Sequence, residues 1–162
     1  MEEENLGKNY SLDKMVNEIS TNEVIVAEKL IIREDKIPEH NLEEHAQNEH
    51  GDKKQLTCFH STANIKKLLT NIMYTAKKLN VTIKNLGDIH KSWKLGMFTN
   101  DAEKKVEFNV YLYVDKQEDV LTLDFMRKNA VFLFDFYEIR DNFINMLKFL
   151  EEVLNIPEYK CI

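Results

Sequence analysis

Few residues in this 162-residue chain have both the type and the spacing for chemistry. Asp135-Phe136-Tyr137 stands one residue from the Asp-Phe-Gly element that holds magnesium in phosphoryl-transfer sites. Such a site also needs a glycine-rich phosphate loop, a strand lysine and a catalytic-loop aspartate. The chain has only Gly7, Gly51, Gly87 and Gly96, and neither G-x-G-x-x-G nor H-R-D occurs in it. Asp135 also lacks the following glycine on which that loop pivots. The triplet reads as part of an apolar strand, VFLFDFY, 131–137.

Cys58 and His60 are two apart on a strand candidate and so point to one side, as a nucleophile and its base would. No third group to orient the base can be named from the sequence. Asp124 and Asp135 are expected on paired strands, on the solvated face or paired with Arg127 and Lys128. His40, His45 and His50 recur every five residues, a step that puts them on different faces of a helix. No cysteine joins them with zinc-ligand spacing. A P-loop and a nucleophile elbow are also missing. The expectation is a chain that is not an enzyme, with no metal site and no cofactor.

Charge and composition narrow the remaining classes. Residues 1–54 hold seven Lys+Arg against fourteen Asp+Glu, whereas residues 55–162 hold fifteen against fourteen. An acidic third followed by a nearly neutral remainder argues against a nucleic-acid partner, which draws a basic excess. No apolar run approaches eighteen residues, and the opening MEEENLGKNY has no signal-peptide core. Two cysteines, Cys58 and Cys161, make no disulfide framework, so the chain reads as cytoplasmic or nuclear.

The elements that must position these residues follow from periodicity. Residues 1–54 read as an acidic, partly disordered segment. It holds a short helix (Leu12, Met15, Val16, Ile19), the clusters Val24–Val26 and Leu30–Ile32, and a polar stretch from His40 to Lys54, and the whole segment before Gln55 reads as dispensable for folding. Residues 55–156 read as a folded domain and 157–162 as a short tail. Leu56–Phe59 is a strand, and Ser61 or Thr62 caps a helix with the stripe Ile65, Leu68, Leu69, Ile72, Met73, Ala76, Leu79. Strands follow at 81–86, 92–98 (with Gly96 as a bulge), 106–114, 120–126 and 131–137. A final helix carries Phe143, Met146, Leu147, Leu150 and Leu154. Strands joined by short polar turns form an antiparallel meander of four to five strands. The two amphipathic helices cover one face of it, which makes the fold class α+β.

That order, from Gln55 to about Leu154, resembles the kinase-associated-1 domain, a C-terminal regulatory module of Ser/Thr protein kinases. Leu56–Phe59 resembles its opening strand, Lys77–Ile83 its helix exit, and Val106–Val110 its long strand. Leu123-Asp124-Phe125-Met126-Arg127-Lys128-Asn129, with Phe132 and Phe134, resembles its last hairpin. The Leu-Asp-Phe-x-Arg pattern is nearest to the checkpoint-effector kinases. The resemblance implies an autoinhibitory module that docks on a kinase domain or another regulatory protein. The alternative is a module that binds anionic phospholipid at a membrane surface. The candidate docking or lipid-binding surface is Lys66, Lys67, Lys77, Lys78, Lys84, Arg127 and Lys128. Asp135-Phe136 stands where family members often carry basic residues, which favours docking over lipid.

Overall fold

Interleaved strands and helices with opposite apolar periods can share one core only if the helices lie on one face of the sheet. A computed structural model describes residues 23–40, 58–128 and 131–154 and has this arrangement. The helix expected over Leu12–Ile19, His45, His50, Cys161, the boundary near residue 55 and the 157–162 tail lie outside the described residues. The elements are α1 (Val24–Lys29), β1 (Glu39–His40), β2 (Cys58–Ser61), α2 (Ile65–Lys78), β3 (Val81–Ile83), α3 (Ile89–Ser92), β4 (Lys94–Thr99), β5 (Glu107–Asp115), β6 (Leu121–Arg127) and α4 (Leu133–Leu154).

The fold is α+β. Strands β3 to β6 form an antiparallel meander, and β2 adds to it beside β6, giving the order β2-β6-β5-β4-β3. Alternation in β5 sends Phe108, Val110 and Leu112 to one face, opposite Leu123 and Phe125 of β6 and Leu95 and Met97 of β4. That face meets Ile65, Leu68, Leu69, Ile72 and Ala76 of α2 and Phe136, Phe143 and Leu147 of α4 in one buried cluster. The stripe of α4 can be tested with neighbours. Leu147→Ala should cost about 2–5 kcal/mol, because Leu147 is fully buried. Lys148→Ala, on the exposed side, should cost less than about 0.5 kcal/mol. Equal shifts in thermal midpoint would mean that the stripe is misplaced.

Several local expectations are corrected. The cap of α2 is Asn64, whose Oδ1 accepts from the Lys67 N–H at 2.9 Å, rather than Ser61 or Thr62. At the other end Asn80 takes the left-handed φ of 58° that commonly closes a helix. The strand expected over 81–86 ends at Ile83, Leu86–Asp88 form a 3-10 turn leading into α3, and the next strand starts at Lys94 rather than at residue 92. Gly96 is not a bulge: it pairs in unbroken register with Asn109.

The largest correction is at 131–137, where the expected strand is instead a turn at 131–132 and the start of α4 from Leu133. An unbroken apolar run fits a strand and a buried helix equally well. Here Leu133 and Phe136 continue the spacing of Phe143, Leu147 and Leu150, and the 22-residue helix takes them. The chain before residue 41 also contributes more than the sequence reading gave it. Leu30, Ile32 and Ile37 join the main core, and β1 pairs in parallel with Val114 and Asp115, where β4 has left the edge of β5. The Val114 N–H donates to the carbonyl of Pro38 at 2.8 Å.

Candidate docking surface

Leaving β6 at Arg127, the chain must turn sharply to enter α4. Phe132 makes that turn at a φ of 56°, in the left-handed region that a bulky residue rarely occupies. Such a conformation costs on the order of 1–3 kcal/mol and persists only where the surroundings hold it. Here the first turn of α4 holds it. The carbonyl of Phe132 accepts the Phe136 N–H at 2.9 Å. The Phe136 ring is buried against Phe108, with centroids 5.8 Å apart.

What this turn presents outward is apolar. Phe134 is 82% exposed, Val131 58% and Phe132 38%. The Phe134 ring stands edge-on to Tyr137 at 6.5 Å, and the Arg140 guanidinium lies 4.8 Å from the Tyr137 centroid. Exposed aromatics on a fixed turn mark a binding surface more strongly than apolar residues scattered singly. Arg127 and Lys128 precede the turn, and the Lys128 N–H ties it to the carbonyl of Glu107 at 3.0 Å.

Asp135 is the third residue of this tip's helix. It lies 3.8 Å from Lys104 and lines an open cleft of about 260 Å³ with Asn80, Asn100 and Asp101. At a helix N-terminus its carboxylate complements the helix dipole. The expectation that it faces Asp124, or pairs with Arg127 and Lys128, is therefore corrected. Asp124 is buried in β6 on the other face of the sheet.

The helix lysines do not form one basic surface. The Lys66 ammonium donates to the carbonyls of Ala27 and Leu30 at 2.7 and 2.9 Å, and so closes the end of α1. Lys77 lies 3.8 Å from Glu23, and Lys78 sits 5.4 Å over the Tyr74 ring. Lys67 is half-buried in the first turn of α2. Lys84 is on the opposite side of the sheet, where Lys84 and Lys105 approach the Phe98 ring at 5.8 and 4.5 Å and Lys94 lies over Tyr111 at 6.0 Å. Sequence reading missed Lys94, Lys105, Phe98 and Tyr111. The period-2 alternation of β4 and β5 holds the signal for the face they share.

Cys58 and His60 do face one way, across from Asp124 and Thr122. The His60 Nδ1 is 3.0 Å from the Thr122 hydroxyl and 3.9 Å from Asp115. Burial, and then the carboxylates of Asp124 and Asp115, push the Cys58 thiol up to about 11. Burial, followed by Asp124, Cys58 and Asp115, raises the neighbouring Tyr113 hydroxyl well above its usual range. A raised thiol is the reverse of an activated nucleophile. In a Cys161→Ser background, alkylation of Cys58 at pH 8 should be roughly a hundredfold slower than for an ordinary thiol, and should accelerate until about pH 11. Alkylation at the ordinary rate would remove the buried-acid account.

Among the described residues no group of three His, Cys, Asp or Glu side chains is placed to hold a metal, and no helix is long and apolar enough to cross a membrane. No protein-family model and no curated protein matches the sequence of the chain.

Proposed function

We propose that the chain is a non-catalytic regulatory module of the checkpoint-kinase type, which docks on a Ser/Thr kinase domain or its regulator through the tip formed by Val131, Phe132 and Phe134. Docking restrains the kinase until phosphorylation or a competing partner releases it. The observation that carries this reading is the aromatic tip, exposed on a turn held in a costly backbone conformation. A strand–helix–meander–helix order, β2-α2-β3-β4-β5-β6-α4, supports the kinase-associated-1 resemblance.

A second reading, insertion of the same tip into an anionic bilayer, draws on Arg127 and Lys128 beside it. Juxtamembrane cations contribute about 1 kcal/mol each near an anionic surface. Lys66 and Lys77 are engaged with α1, and Lys84 faces away, so the attraction left for a membrane is small.

The test uses one titration with two ligands. A checkpoint-type kinase domain should bind the chain, and Phe134→Ser should weaken that binding at least about tenfold, the scale of an aromatic anchor. Changing Lys66, Lys67, Lys77 and Lys78 to Ser should leave it nearly unchanged. Phosphatidylserine vesicles should bind weakly and lose the chain as salt rises. Tight vesicle binding at about 0.15 M salt, abolished by changing Arg127 and Lys128 to Ser, would replace docking with the lipid reading.

A further inference from the structure

The face of the sheet turned away from α2 and α4 carries lysines set over aromatic rings. β4 and β5 send Lys94, Phe98, Asn109 and Tyr111 to it, in alternation with the core residues Leu95, Met97, Phe108 and Val110. Lys84 and Lys105 hold their ammoniums 5.8 and 4.5 Å from the one Phe98 ring, and Lys94 lies 6.0 Å from Tyr111. All three lysines are exposed. Gly96 gives Lys84 its path. A Cβ at Gly96 would stand 3.1 Å from the Lys84 Cε, so the lysine stem crosses β4 at the one position without a side chain.

Two cations at one ring repel each other, and few carboxylates stand near to offset them. Glu107 is 3.8 Å from Lys105, Asp88 is taken by Lys91 at 3.5 Å, and Asp124, farther across this face, is buried. Among the described residues no carboxylate pairs with Lys84 or Lys94. A lysine stem that packs on a ring or on bare strand has already lost part of the rotamer freedom that holding an anion would cost. The face is therefore positive and partly fixed in advance. Spacing defines the form of the anion. Lys94 and Phe98 are four residues apart on β4, about 13 Å along the strand. An extended peptide covers that distance in four residues and turns residues i, i+2 and i+4 to one side, with i+2 over Gly96. At the Lys94 end the face opens into a cleft of about 310 Å³ lined by Pro38, Ser92 and Trp93, where such a segment can continue. Stacked bases fit less well, because they need open ring faces and each ring here carries an ammonium.

We propose that this face docks an extended acidic segment of a partner protein. Asp or Glu residues four apart meet Lys94 at one end and Lys84 with Lys105 at the other, and Asn109, paired with Gly96, supplies an amide to the main chain between them. The surface is separate from the aromatic tip and stands whether or not the tip docks.

The probe is a polar peptide with two glutamates four residues apart, titrated into the labelled full chain and followed by amide NMR. Saturable shifts should centre on Lys84, Gly96, Phe98 and Asn109. A peptide of the same composition with its glutamates adjacent should bind about fivefold more weakly, having one pair in reach instead of two. Lys84→Gln together with Lys94→Gln should weaken the spaced peptide about tenfold, the scale of two exposed ion pairs. Gly96→Ala keeps every charge but moves the Lys84 arm, and should erase the preference for the spaced peptide. Equal binding of the two peptides by the unaltered chain, or shifts centred elsewhere, overturns the proposal. So does tighter binding, at about 0.15 M salt and through the same lysines, of oligothymidylate or of phosphatidylserine vesicles. Either would make the face a nucleic-acid or a membrane surface instead.

Discussion

Phe125→Ala should lower stability by about 3–5 kcal/mol, enough to unfold a domain of ordinary stability on modest heating. Phe125 is fully buried at the centre of the sheet, paired across the ladder with Val110. Its ring is 6.5 Å from Phe108 and 5.5 Å from Phe143, so it joins two strands to α4. Truncation removes the transfer free energy of the ring and leaves a cavity that a sheet residue fixed on both sides cannot close. The denaturation midpoint should fall with little change in the slope of the transition. Met126→Ala, one residue on and facing the other way, should cost much less. A small effect at Phe125 would mean that the helices do not pack over this part of the sheet.

Glu151→Ala should cost about 2–4 kcal/mol, because hydrogen bonds to a charged acceptor and buried donors left without one each weigh on this scale. Glu151 is buried in the last turn of α4, 90 residues from the Ser61 hydroxyl that donates to it at 2.9 Å. The Thr62 N–H and hydroxyl donate to the other carboxylate oxygen at 2.9 and 2.8 Å. Ser61 in turn accepts from the Ala63 N–H at 3.1 Å, so a single carboxylate organises the whole approach to α2. Glu151→Gln keeps one good acceptor and should recover part of the loss. Glu152→Ala, next to it on the exposed side, should change stability by less than about 0.5 kcal/mol. Equal effects at 151 and 152 would leave the end of α4 held by apolar contacts alone.

These two sites also show what could be read from the chain and what could not. The alternation of Val106, Phe108, Val110 and Leu112, and the 3.6-residue stripe of Ile65, Leu68, Leu69, Ile72 and Ala76, are local signals, and both faces lie where their periods put them. Glu151 and Ser61 are far apart in sequence, and nothing local distinguishes Glu151 from Glu152. Their clasp also explains why Ser61 and Thr62, good caps by residue type, leave that role to Asn64. The run at 131–137 misleads because Val, Phe and Tyr favour strands while the spacing of Leu133 and Phe136 favours a helix. Burial decided for the helix, and only that choice exposes Phe134. Lys66 and Lys77 show the same limit for the binding surface. Their charge is plain in the sequence, but the acceptors that engage them come from a segment which composition had set aside as a tail.

The docking claim is tested most directly by amide NMR of the labelled chain as a checkpoint-type kinase domain is added. The account predicts shifts and line broadening first at residues 131–137, with Arg127 and Lys128, while amides on the outer face of β4 keep their positions. Perturbation confined to the Lys84–Phe98 side of the sheet, with Val131–Tyr137 unmoved at saturation, would contradict it.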